Sequence, residues 1–392
     1  GATVSDLFGS AIPQPDAFGR ILPNGASIAI GNGTLTGNDT QKDVFFNFET
    51  SSWNYIDGSG SSGIIPGNIT QYTGDMTASS GVRGSYVTAG AIDFNIASAL
   101  YQSTASGGNW NSPGTWQAQF TYTGASGDWV SMCNHIPDTA NSTSIIISNA
   151  TTVTVTENIH AAQITITAGG TLTIGGATLF LDHESSSDMT NNGTLIVTGS
   201  IQTAVDAVWT NNNGSLVNFN SANQTINGGT YYNLTLGGGA NILGGDVTVN
   251  GTFNNTTLTT GSANLVLNGT VTGNGSMNMT GGTVTYQNTG SIFAGTYYNL
   301  AVTAVGAGFA GDVNTLNSFD AGNQSIILNN HNLTIGGTVL NLSLLTPGLG
   351  SVIYNGSGTQ LIAGVNYYSL TLSGGTNILS NTASVNGLFT NT

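Results

Sequence analysis

The chain has 392 residues, of which only 5% are charged, and its three basic residues stand against eighteen acids for a formal net charge of −15. Nucleic acid and anionic membrane surfaces are set aside as partners, because binding phosphates needs cations that this chain lacks. A single cysteine, Cys133, rules out an intrachain disulfide, and no apolar run approaches the length of a membrane span.

Residues 1–100 carry all three basic residues, Arg20, Lys42 and Arg83. Short β-rich runs at Ser27–Ile30, Val44–Phe48 and Ala91–Ile96 alternate with Gly/Ser/Asn turns, which predicts an irregular β-rich head. The opening segment, Gly1–Gln14, is expected to be a strand of that head; the alternative is pairing with a neighbouring chain by strand addition. Opening at Gly1, the chain reads as processed or trimmed.

Residues 101–150 form a transition with a distinctive two-tryptophan segment, YQSTASGGNWNSPGTW, at Tyr101–Trp116. Repeat columns need atypical end caps, so Trp110 and Trp116 are the candidates to close the hydrophobic end of the first coil. From Ser144 the text becomes SIIISNATTVTVTENIHAAQITITAGGTLTIGG, with apolar residues alternating with Thr.

Residues 151–392 hold one passage written three times: YYNLTLGGGANILGGDVTVNGTF from Tyr231, YYNLAVTAVGAGFAGDVNTLNSF from Tyr297 and YYSLTLSGGTNILSNTASVNGLF from Tyr367. The copies start 66 and 70 residues apart. Period-two alternation, as at Leu234/Leu236, Val247/Val249, Leu265/Leu267 and Val284/Tyr286, is the strand signature, and helices should be nearly absent. About nine strand-like runs between Leu234 and Leu300 predict three coils per copy, each of roughly 22–23 residues, in a parallel β-helix. Ten or eleven coils would make a rod on the order of 50 Å long at about 4.8 Å per coil. The rival reading is a row of small sandwiches, one per copy, with no disulfide or metal to hold each together. The third copy stops at NGLFTNT, so the repeat is expected to continue past Thr392 or in another subunit.

The two-tryptophan segment, the turn at Pro137, the VTV and GGTLT steps and the YYNLTL copies together resemble modules of large secreted surface proteins from Bacteroidetes-type bacteria, including adhesins associated with gliding. The resemblance covers residues 101–392. It implies export, an extracellular or cell-surface place, and a scaffold or adhesive role. Members of that group often carry a GHTVTV step; SNATTVTV at Ser148–Val155 lacks its His, and no functional residue is carried over from it.

Candidate chemistry is sparse. Asp182, Glu184 and Asp188, with His183, are the densest polar cluster and the one candidate for Ca²⁺ or another divalent ion; otherwise no cofactor is expected. Cys133 and His135 would need two more zinc ligands, and His160, His183 and His331 are scattered. A β-helix enzyme acting on polysaccharide would need a basic residue or two close carboxylates. Beyond Arg83 there is no Lys or Arg, and Glu157, Asp206, Asp246, Asp312 and Asp320 are dispersed. Asp246 and Asp312 recur at one repeat position, with Asn381 read as their replacement in the third copy; a recurring acid of this kind reads as a turn residue.

Each tyrosine pair, Tyr231/Tyr232, Tyr297/Tyr298 and Tyr367/Tyr368, should turn one ring into the core and one outward. Three outward rings along one face, about 14 Å apart, are the candidate for stacking on sugars. Asn-Gly steps at Asn250, Asn268 and Asn386 supply turns. The expectation is therefore an all-β parallel solenoid with a β-rich head, a non-enzymatic surface fibre that associates with itself. The alternatives are a carbohydrate-binding module and a polysaccharide-degrading β-helix enzyme.

Overall fold

The computed structural model describes residues 99–119, 121–122, 125–126, 130–131, 136–140, 142–183, 187–273, 275–288 and 290–392, together with the backbone of strands between Ala17 and Asn95. The protein is all-β, 54% strand, and its parallel strands stack into a β-solenoid of about 13 turns. In the head, Asp43–Asn47 runs antiparallel between Ala17–Ile21 and Ser52–Ile56, and Arg83–Val87 pairs with Ala91–Asn95. Gly1–Gln14 lies outside the described residues.

The chain divides into two compact units, one of Gly1–Leu172 with Leu179–Met189 and Gln202–Val208, the other of Thr173–Thr178, Thr190–Ile201 and Trp209–Thr392. Within the first unit, Ser142–Ile147 pairs in parallel with Ile164–Ile166, and Ile159–Ala161 stacks on the strand ending at Leu181.

The second unit is built on three ladders. Ladder I holds Thr194–Val197, Leu216–Phe219 and the first halves of Asn233–Leu243 and Phe253–Thr260, followed by Val271–Thr272. It continues through Ser291–Ile292, Ala307–Phe309, Ser325–Ile327 and Leu344–Thr346 to Asn366–Tyr367 and Ser384–Val385. Ladder II holds Thr225–Ile226, the second halves of the two long strands, Ser276–Met279, and the first halves of Ala294–Val302 and Val313–Asp320. It ends in Leu333–Ile335, Ser351–Tyr354, Ser369–Leu372 and Phe389–Asn391. Ladder III holds Gly229–Tyr231, Val247–Val249, Leu265–Leu267, Thr283–Tyr286, the second halves of 294–302 and 313–320, Thr338–Leu340, Gln360–Ile362 and Asn377–Leu379.

The alternation seen in the sequence is the alternation of burial. Leu234, Leu236, Val247, Val249, Leu265, Leu267 and Val284 are all buried, and the Thr and Asn between them face out. A single coil cannot hide these residues from water, so stacking is what removes their apolar surface from solvent.

Two expectations are corrected. The register advances from Val217 to Leu234, Phe253 and Val271, and from Val313 to Leu333, Val352, Leu370 and Phe389, so these turns take 17–20 residues rather than 22–23, although the step before them, Leu195 to Val217, takes 22. After Tyr231, ladder I is visited at Leu234, Phe253, Val271 and Ile292, ladder II at Ile242, Leu258, Met277 and Tyr297, and ladder III at Val247, Leu265 and Val284. One copy is therefore eleven strands, three turns and two-thirds, not three whole turns. The reason is that 233–243, 253–260, 294–302 and 313–320 each round a corner without a break and serve two ladders. Counting turn-separated runs merges such pairs.

Candidate functional site

Because eleven strands do not divide by three, successive tyrosine pairs fall on successive faces. Tyr231 pairs with Val249 in ladder III, Tyr297 with Thr315 in ladder II, and Tyr367 with Val385 in ladder I. The expected row of Tyr232, Tyr298 and Tyr368 along one face is thus overturned; the three rings belong to three sides of the column. Within each pair the alternation holds: Tyr231, Tyr297 and Tyr367 are fully buried, while Tyr298 is 37% exposed and Tyr232 and Tyr368 are half-buried.

The buried ring does the same work in every copy. Its hydroxyl donates to the carbonyl four residues back, Asn227 O, Phe293 O or Ala363 O, at 2.7 Å each time. In the second copy Phe293 N–H donates to Tyr286 Oη (3.3 Å), which donates to Tyr297 Oη (3.0 Å), which closes the circuit on Phe293 O. Ala363, Tyr354 and Tyr367 repeat it at 3.3, 3.2 and 2.7 Å. In the first copy Phe219 stands where the second tyrosine would be, and Trp209 packs edge-on to Tyr231 at 5.7 Å. Burial without a nearby positive charge disfavours phenolate, so Tyr286 is pushed up to about 12 and Tyr231, Tyr297, Tyr354 and Tyr367 are also raised.

The backbone carbonyl of the outward tyrosine meets the Asn-Gly step that follows nineteen residues later. Gly251 N–H donates to Tyr232 O at 2.7 Å, and Gly387 N–H repeats the bond to Tyr368 O. A Cβ at Gly251 would stand 2.6 Å from Asn233 Oδ1, 2.8 Å from Tyr232 O and 2.9 Å from Tyr232 Cε1, and one at Gly387 would stand 2.8 Å from Tyr368 O, so the close approach of the backbone favours glycine here.

Two glutamines upstream of the tyrosines were not singled out from the sequence. Gln360 is 3% exposed; its Nε2 donates to Ile335 O (2.9 Å) and Gly337 O (2.8 Å) and its Oε1 accepts from Gly356 N–H (2.7 Å). Gln224 makes the same three bonds to Val197 O, Gly199 O and Ser221 N–H. Aligning FNSANQTI before Tyr231 with YNGSGTQLI before Tyr367 would have found them.

The acids are engaged as turn residues. Asp246 Oδ1 accepts from Asn264 N–H (2.8 Å) and Oδ2 from Asn264 Nδ2 (3.1 Å), while Asn264 Oδ1 accepts from Thr283 N–H (2.9 Å). Asp312, Asn332 and Ser351 repeat the chain of bonds one face round. The Asn264 donors hold the Asp246 carboxyl below its ordinary value. Aligned on the VNG step, Thr382 rather than Asn381 takes this place in the third copy. Asp320 accepts from Gly322 N–H and Asn341 Nδ2, and Glu157 from Asn111 Nδ2.

Two of the candidate cation ligands are each engaged by a histidine. Asp182 lies 3.1 Å from His160 Nδ1, with that imidazole stacked on Phe180 at 4.4 Å. Asp188 is fully buried, accepting from Val208 N–H (2.7 Å) and lying 3.0 Å from His183 Nδ1. Glu184, Cys133 and His135 lie outside the described residues. Among the described residues no three His, Cys, Asp or Glu side chains gather.

The two coil edges differ. Trp110 and Trp116 are fully buried, 4.9 Å apart edge to face, beside the first parallel strands. Both indole N–H groups are satisfied, Trp110 Nε1 by Pro137 O and Trp116 Nε1 by Trp110 O. Around the last coil, Leu379, Leu388 and Phe389 are each more than half exposed. Leu370, Leu372, Val385, Leu379 and Phe389 line an apolar recess of about 350 Å³ there.

The fold and these repeated bonds define a β-solenoid repeat protein. No protein family, curated protein or solved structure matches the chain.

Proposed function

We propose that this chain is a non-enzymatic structural and adhesive element of a bacterial cell surface, a stiff solenoid whose apolar edge at Leu379, Leu388 and Phe389 is covered by a further β-layer. The observation that carries the reading is the contrast between flank and edge. On the flanks, the recurring carboxylates are spent on turn amides and the tyrosine hydroxyls on carbonyls, which leaves few groups free for acid–base or nucleophilic chemistry. On the edge, exposed Leu379, Leu388 and Phe389 surround an open recess beside the strands Asn377–Leu379, Ser384–Val385 and Phe389–Asn391, which stand last in their sheets. Apolar surface of this kind, on a strand edge without Lys to guard it, favours a covering β-layer. That layer comes from a second copy or from further repeats.

The likeness of residues 101–392 to repeat-rich surface proteins supports the extracellular place, and the near-absence of Lys and Arg suits resistance to trypsin-like proteases. Electron microscopy of the natural material tests the reading: end-to-end filaments or long columns support it, and isolated monomers at every concentration refute it.

A further inference from the structure

Consecutive coils are joined by backbone ladders on most faces, but at the seam between residues 338–346 and the coil that follows, the joining lapses on two faces. Ladder I ends its paired run at Leu344–Thr346 and resumes with Asn366–Tyr367 on Ser384–Val385; ladder III ends at Thr338–Leu340 and resumes with Gln360–Ile362 on Asn377–Leu379. Across this seam only ladder II, through Leu333–Ile335, Ser351–Tyr354 and Ser369–Leu372, keeps its register, with the Gln360 carboxamide bridging to Ile335 O and Gly337 O. The Gln360 side chain spans the two coils at this seam, as Gln224 does upstream of the first copy.

Two grooves open where the bonds are missing. One, of about 230 Å³, runs past Ser343, Leu344, Asn366 and Thr382; the other, of about 190 Å³, runs past Asn323, Asn341, Ser343 and Leu361. They meet at Ser343 and Gly364, which line both. Taken as one cleft, their volume enters the range of small-ligand sites, about 300–1,000 Å³. No ionisable side chain lines either groove. Their walls offer hydroxyl and carboxamide groups, and Leu344 and Leu361, 59% and 55% exposed, form apolar rims. The cleft is also ordered: Asn341 Nδ2 is held by Asp320 Oδ1 at 2.8 Å, and Ser384 Oγ lies 2.5 Å from Asn366 Oδ1, which leaves the Asn366 Nδ2 donor for a ligand.

We infer that this seam is a binding cleft for a neutral oligosaccharide. The chemistry matches in three respects. Alternating donors and acceptors suit sugar hydroxyls, leucine rims suit the C–H faces of sugar rings, and the lack of charge gives acidic polymers no counter-ion. The inference deepens the adhesive half of the proposed function, and it is independent of association through the last coil.

The test is binding of neutral and uronic-acid oligosaccharide panels to the full chain, followed by titration calorimetry of any neutral hit. Three variants are compared: Ser343→Leu, which fills the junction of both grooves; Asn366→Ala, which removes a donor; and Tyr298→Ala, on another part of the surface. Neutral glycans are expected to bind. Ser343→Leu should abolish binding, Asn366→Ala should weaken it roughly 5- to 10-fold, and Tyr298→Ala should leave it unchanged. Circular dichroism confirms that each variant is folded, and sedimentation confirms that association is unaltered. No neutral ligand in the millimolar range, exclusive binding of acidic glycans, or loss with Tyr298→Ala but not Ser343→Leu would each overturn the inference.

Discussion

The first parallel coil and the last one solve the same problem in opposite ways. Beside the first, Trp110 and Trp116 fill the space over the coil and hand both indole N–H groups to carbonyls. At the last, residues of the repeat itself, Leu379, Val385 and Phe389, stand around an open recess. Repeat residues are shaped to be covered by the next repeat, so covering the first coil has required residues that the repeat does not contain. Stability should therefore concentrate where the column is covered, and stickiness where it is not.

Replacing Trp116 by Ala removes a fully buried indole and strands the carbonyl of Trp110, and should cost about 3–5 kcal/mol in denaturant unfolding. A loss under about 1 kcal/mol would mean that the tryptophans do not cover the coil. Next in size, Gln360→Leu leaves two carbonyls and one N–H without their partner and should cost about 2–3 kcal/mol. Its effect should exceed that of Gln324→Leu, whose side chain donates to Gly322 O two residues away.

Alkali should act on the same interior. With folded-state values raised by burial, the tyrosines give stability that is complete below about pH 10 and lost as pH climbs through the folded value, about 12 for Tyr286. Tyr286→Phe should soften this alkaline limb; a melting temperature flat from pH 9 to 12 would contradict the buried phenols. Smallest of all, Tyr298→Ala, at a half-open corner, should change stability by no more than about 1 kcal/mol.

The fold was legible because alternation at Leu234/Leu236 or Val247/Val249 reports burial directly, and because a tandem copy cannot bury its face alone. The turn length was not, since Phe253–Thr260 carries two ladders with no glycine between them, so one strand is counted where two ladders are served. From the short turn follows everything missed about the tyrosines. A copy of eleven strands turns each motif to the next face, and no periodicity in the text distinguishes that from a straight row. The role of Asp246 was legible from its recurrence, whereas Gln224 and Gln360 were hidden because the second copy has no glutamine there. The seam beside Ser343 was marked only by Gln360, which is visible once its segment is aligned with that of Gln224.

The account stands most directly on the uncovered coil. Sedimentation of the full chain across a range of concentrations should show mass growing with concentration, and the double variant Leu379→Ser, Phe389→Ser should abolish that growth while the unfolding midpoint changes little. A chain that stays monomeric throughout, or a variant that associates as well as its parent, would contradict the claim that this edge is where the protein joins its neighbours.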